Sequence, residues 1–84
     1  IILMEPFLLP LREELRRWRA DLDPKIQAVR DLAEEFVCTL IPLDGIFAAA
    51  ACRREKSFWT TDGVHPTPTG HALIAESWIA ATSC

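Results

Sequence analysis

Two short apolar runs separated by a helix-length stretch constrain this chain more than anything else in it. Ile1-Ile2-Leu3-Met4 stops at Glu5-Pro6, and the run from Val37 to Leu43 is broken only by Pro42. Neither alternates apolar with polar residues, so each predicts a strand covered on both faces, as in a parallel sheet. Between them, Asp23 as an N-cap and Pro24 at the first helical position predict a helix running to about Phe36. Its apolar stripe is Ile26, Val29, Leu32, Ala33 and Phe36, with Lys25, Arg30, Asp31, Glu34 and Glu35 off it. Strand, helix, strand in that order predicts an α/β fold with a right-handed parallel crossover.

The length bounds what such a unit does alone. The chain has 84 residues, which allows one domain. A chain this short buries only about 60–65% of its unfolded surface. Half of it is hydrophobic, which argues against disorder. Two parallel strands leave backbone donors and acceptors aimed at strands that the sequence does not supply. Both read as apolar on both faces, so a helix layer is missing too. The expectation is a chain that needs a partner, either a segment completing the sheet or another copy of itself. The opening on Ile1, directly in a strand-like run, reads as a cut through a domain rather than a leader segment.

Charge and cysteine usage exclude several classes. A net charge of −3 and a pI near 5.2 offer no basic field for nucleic acid. No apolar run approaches the roughly 18–20 residues of a membrane span. Arg12, Arg16, Arg17 and Arg19 accompany a predicted helix over Leu11–Ala20, whose apolar face is Leu11, Leu15 and Trp18. Glu13 and Glu14 among them point to a solvated face rather than a membrane-surface helix. Cys38, Cys52 and Cys84 have no metal-ligand spacing. Cys38 reads as a small buried hydrophobe, and Cys84 as a terminal thiol open to oxidation. Nothing in the sequence calls for a metal or an organic cofactor. Location stays open, with the cytoplasm favoured by the missing leader and the odd cysteine count.

Chemistry concentrates in Trp59-Thr60-Thr61-Asp62-Gly63-Val64-His65-Pro66-Thr67. An Asp three residues before a His can set its carboxylate against the imidazole Nδ1, fixing the tautomer and leaving Nε2 as a general base. Gly63 permits a positive φ if the turn needs one, and Pro66 stiffens the exit. Thr67 then reads as N-cap and Pro68 as the first residue of a last helix running to about Ala81. On that helix Ala72, Ala75 and Ile79 share a face, with Leu73 and Ile74 flanking it. His71 within it reads as a surface or satisfied residue. Trp59 either walls the site or packs. Asp44 reads as the cap of an Ala-rich helix over Ile46–Cys52 rather than as a catalytic acid.

The stretch from Trp59 through DGVHPTPTGHALIAESW resembles the C-terminal motif of the SGNH, or GDSL-type, lipases and esterases. IILMEPFLLP, DPKIQAVRDLAEEF and CTLIPLDGIFAAAA resemble that family's preceding strand, helix, and strand with short helix. The resemblance implies the C-terminal part of a three-layer α/β/α, flavodoxin-like fold, with residues 1–84 a partial domain lacking the nucleophile half. It implies Asp62 and His65 as two members of a Ser-His-Asp triad acting on an ester, and the apolar Phe7–Pro10 loop as part of the substrate entrance, where core packing is the other reading of Phe7. The family's nucleophile block is absent. The serines are Ser57, Ser77 and Ser83, none preceded by Gly-Asp, and the chain contains no Asn for the oxyanion hole. Two further readings therefore stand beside the hydrolase: an inactive fragment acting as a self-associating or interaction module, and a single-chain hydrolase using Ser57.

Overall fold

In a computed structural model that describes residues 1–83, the chain runs β1 (Ile2–Met4), α1 (Glu13–Arg16), α2 (Arg19–Glu35), β2 (Thr39–Ile41), α3 (Leu43–Ala50), α4 (Lys56–Trp59) and α5 (Pro68–Thr82). The strands are parallel, with Ile2 opposite Thr39, Leu3 opposite Leu40 and Met4 opposite Ile41. The expected strand–helix–strand unit is present, with α2 as its crossover. Cys84 lies outside the described residues.

Several boundaries differ from the sequence reading, each for an identifiable reason. The helix expected over Leu11–Ala20 shortens to one turn at Glu13–Arg16, with Leu15 buried beneath it and Trp18 exposed. α2 starts at Arg19, so Asp23 is not its cap and Pro24 lies inside it. The Arg19 guanidinium holds this early start by forking between Asp23, 2.9 Å away, and Asp44, 2.7 Å away. α2 closes with Cys38 N–H donating to the Ala33 carbonyl and Val37 N–H to Glu34. That closure puts Val37 at φ 52°, so it terminates the helix and does not begin the strand. A β-branched residue is strained there, and the preference of such side chains for extended backbone is what makes the sequence read as strand from Val37.

The core gathers where β2, α3 and α4 meet: Leu9, Ile41, Leu43, Phe47, Ala50 and Trp59 form one buried cluster. Phe7 stacks on Phe47 with ring centroids 4.2 Å apart. On α5 the core-facing residues are Leu73 and Ile74, whereas Ala72, Ala75 and Ile79 are exposed. Gly70 brings the start of α5 against α4: a Cβ there would stand 2.1 Å from the Trp59 carbonyl. An apolar patch stays open where the end of α2 meets the start of β1. Ile1, Leu32, Phe36 and Val37 are exposed, and with Leu3 and Cys38 they line an apolar depression of about 410 Å³. The full α2 stripe was expected to be covered; only Ile26 and Ala33 are buried on it.

Candidate active site

The Asp62–His65 turn is anchored at both ends before any side chain is considered. Thr60 and Pro66 bridge as antiparallel partners, Thr61 N–H donates to the His65 carbonyl at 2.9 Å, and Thr67 N–H donates to Trp59 at 3.0 Å. Beyond the turn, Thr67 caps α5 by accepting from Gly70 N–H at 3.1 Å, and its hydroxyl donates to the Phe58 carbonyl at 2.6 Å. The residue the sequence reading missed is Thr60. It is fully buried, and its Oγ1 accepts from Gly63 N–H at 3.0 Å, pinning the turn from beneath. Its only sequence signal is a small hydroxyl residue two places before the Asp. Gly63 adopts φ 104°, and a Cβ there would sit 2.6 Å from the Leu9 carbonyl oxygen. Both facts require glycine.

Inside this frame the Asp62 carboxylate divides its work. Oδ1 accepts from Val64 N–H at 3.0 Å and His65 N–H at 2.8 Å, while Oδ2 lies 2.6 Å from His65 Nδ1. The Val64 N–H, then the His65 N–H, then the imidazole hold the Asp62 pKa down from 3.8 to about 2. An ionised carboxylate only accepts, so the imidazole proton sits on Nδ1 and Nε2 carries the free lone pair. Both groups reach solvent: the His65 side chain is 75% exposed and Asp62 51%. The pair is therefore organised by its own turn rather than by burial.

The remaining expected site residues separate. Phe7 lines a groove of about 440 Å³ with Leu8, Arg17, Trp18, Asp21, Leu22 and Val64, the last a direct neighbour of His65. Trp59 instead packs in the core, 8% exposed, with its indole N–H donating to the Ala50 carbonyl at 3.1 Å. Of the two choices the sequence left open for it, packing is where it sits. His71 is an exposed residue of α5. Ser77 and Ser83 donate to carbonyls of their own helix at 2.8 and 2.6 Å. Ser57 lines a separate surface depression with Pro10, Leu11 and Glu55. Among the described residues no serine hydroxyl bonds to His65.

Asp44 does not cap α3, whose N-cap position is Pro42. Its carboxylate accepts from Leu8 N–H at 3.1 Å and from both Arg19 terminal nitrogens at 2.8 and 2.7 Å. The capping role passes to Glu5, whose buried Oε1 accepts from Asp44 N–H at 3.2 Å while Oε2 takes the Arg30 Nε–H at 2.6 Å.

No family model and no curated protein matches the chain. Solved structures do. One is described as a GDSL-like lipase from Parabacteroides merdae: TM-score 0.86 and 34% identity, over 98% of this chain and 38% of that one. A second is an alpha/beta hydrolase enzyme from the metagenome of Lake Arreo, Spain: TM-score 0.82 and 32% identity, over 99% and 38%. The chain thus spans well under half the length of each. The resemblance read from the sequence holds in three dimensions: this is the fold of part of a GDSL-like hydrolase.

Proposed function

Starting from that fold, we propose that the chain supplies the acid–base pair of a serine ester hydrolase, with Asp62 and His65 as its contribution to a Ser-His-Asp triad. The observation that carries this is the 2.6 Å contact between Asp62 Oδ2 and His65 Nδ1, which leaves Nε2 as the base. A serine hydroxyl from the nucleophile-bearing part of the enzyme gives its proton to His65 Nε2 as Oγ attacks the ester carbonyl. The tetrahedral adduct collapses, and the His65 cation returns the proton to the departing alcohol. Water repeats the cycle on the acyl-serine. Asp62 holds the imidazole and stabilises its charged form throughout. The Phe7–Val64 groove beside the turn suits an uncharged, apolar portion of the ester.

The open apolar patch at the end of α2 supports the second half of the proposal, that the chain works only against a partner surface. Ile1 is 95% exposed, Val37 91% and Phe36 66%, a patch that isolated domains rarely leave open. The same patch would serve an inactive, self-associating module, so activity decides between the readings. The test is intact mass together with p-nitrophenyl acetate hydrolysis on one preparation. A species bearing a Gly-Asp-Ser segment is expected alongside or joined to this chain, with turnover dropping by about 10⁴ to 10⁶ in His65→Ala. Undiminished turnover in His65→Ala overturns the assignment. An oligomer of this chain alone, without turnover, selects the module.

A further inference from the structure

The Asp62–His65 turn rests on a segment that is itself clamped from the far side. Gly63, in the middle of the turn, accepts from Leu9 N–H at 2.9 Å. The left-handed φ of Gly63 lets its backbone press against the Leu9 carbonyl, so the two segments meet main chain to main chain. One residue earlier, Leu8 N–H donates to Asp44 Oδ1 at 3.1 Å, and the Leu8 carbonyl accepts from Arg19 at 3.4 Å. Asp44 and Arg19 close the fork at 2.8 and 2.7 Å, and the Asp44 side chain is 14% exposed. Both hydrogen-bonding groups of the Leu8 peptide are thereby taken by one ion pair, from α2 and α3. Neither Asp44 nor Arg19 belongs to the turn, yet each fixes the residue adjoining its support.

We propose that the Asp44–Arg19 pair is a positioning device for the catalytic turn: it sets the height of the Leu8–Leu9 segment and, through the Leu9–Gly63 hydrogen bond, the placement of His65. This rests on the hydrolase reading above. The consequence is specific. Bidentate pairs define direction as well as distance, so loosening this one displaces Leu9, Gly63 and the imidazole together. The turn keeps its internal bonds while moving as a body relative to the nucleophile. Such a shift impairs proton transfer, whereas Leu8 and Val64 move together and keep the groove wall they share.

The test uses Asp44→Asn and Arg19→Lys in the protein carrying both this chain and its nucleophile. The Asn variant still accepts from Leu8 but loses the charge pairing; the Lys variant keeps charge and loses the fork. Each is expected to lower kcat by about tenfold with KM within about twofold, the signature of misplacement rather than lost binding. The amide proton signal of Leu9, which reports its hydrogen bond to the Gly63 carbonyl, should shift or broaden in both, while that of His65 Nδ1–H, internal to the turn, stays in place. Unchanged kcat and an unmoved Leu9 signal, at a temperature where circular dichroism shows the fold intact, overturn the proposal. Should Asp44→Asn fail to fold, Arg19→Lys decides alone. A Leu9 signal that moves in variants of a protein with no ester turnover keeps the coupling and overturns the hydrolase reading instead.

Discussion

The chain holds two carboxylate clusters built in opposite ways. Asp62 gathers its partners from residues two and three places ahead, and the whole arrangement stands in solvent. Glu5 and Asp44 gather theirs across separations of 25 to 39 residues, with the Glu5 side chain fully buried. The first is a local device that any scaffold could present, provided its ends are pinned. The second is a tertiary device that joins β1 and its exit loop to α2 and α3. The difference separates chemistry from architecture: local bonding sets the imidazole tautomer, and distant bonding decides where that imidazole stands.

Asp62→Asn breaks the comparison on its chemical side and should have the largest effect. The Asn oxygen still accepts from Val64 and His65 N–H, so the turn survives. The amide in place of Oδ2 cannot accept from Nδ1–H, so the wrong tautomer is favoured. On the proposed triad, turnover is expected to fall by about 10⁴, the loss seen when the corresponding Asp of a serine protease becomes Asn. The thermal midpoint should move little, because the side chain is half exposed and its capping bonds remain. Steady-state kinetics and calorimetry on one preparation check both halves. A loss of stability matching the loss of rate would make the turn structural instead.

The same contrast explains what was legible in the sequence. The Asp–x–x–His spacing, Gly63 and the Thr67–Pro68 cap are short-range rules, and the structure places them as those rules require. The parallel strand–helix–strand unit was legible because its apolar runs are continuous. Asp44 carries a misleading local signal, because an Asp just before an Ala-rich run is an ordinary cap pattern, yet the N-cap position of α3 is Pro42. The capping acceptor is Glu5, which lies 39 residues away in sequence. Arg19 extends α2 past Pro24 by pairing with Asp44, a contact that no local window contains. For Trp59 the sequence allows both packing and a place in the site, because only the tertiary fold shows that its indole N–H finds the Ala50 carbonyl.

Glu5→Ala breaks the architectural side. It strips the start of α3 of its acceptor, leaving Asp44 N–H without a partner, and it frees Arg30 from its ion pair. Arg30 is 45% exposed and turns to water. The orphaned N–H and the emptied buried site should together cost about 1–3 kcal/mol, read as a shifted urea midpoint at constant slope. The internal geometry of the Asp62–His65 turn should persist, seen as an unshifted His65 Nδ1–H signal under conditions where the variant is folded. An unchanged midpoint would mean that Glu5 contributes nothing as a cap.

Acid titration gives the smallest effect and the sharpest version of the contrast, because both clusters contain a carboxylate held below its ordinary value for different reasons. At Asp44 burial pushes the pKa up, and the Arg19 fork with the Leu8 N–H more than offsets it. At Asp62 burial matters little, and the turn's own N–H groups bring the value to about 2. A depressed folded pKa means that the stabilisation is fully present above the unfolded value near 3.8. It is lost as pH falls through the folded value. Carbon NMR of the side-chain carboxyls should therefore place the Asp62 midpoint near 2, with the turn's amide shifts changing at the same midpoint. In Arg19→Lys the Asp44 midpoint should rise while that of Asp62 stays in place, since none of the Asp62 partners comes from α2. An Asp62 midpoint near 3.8 in the unaltered protein would mean that the turn does not organise its own carboxylate, and the local half of the comparison would fail.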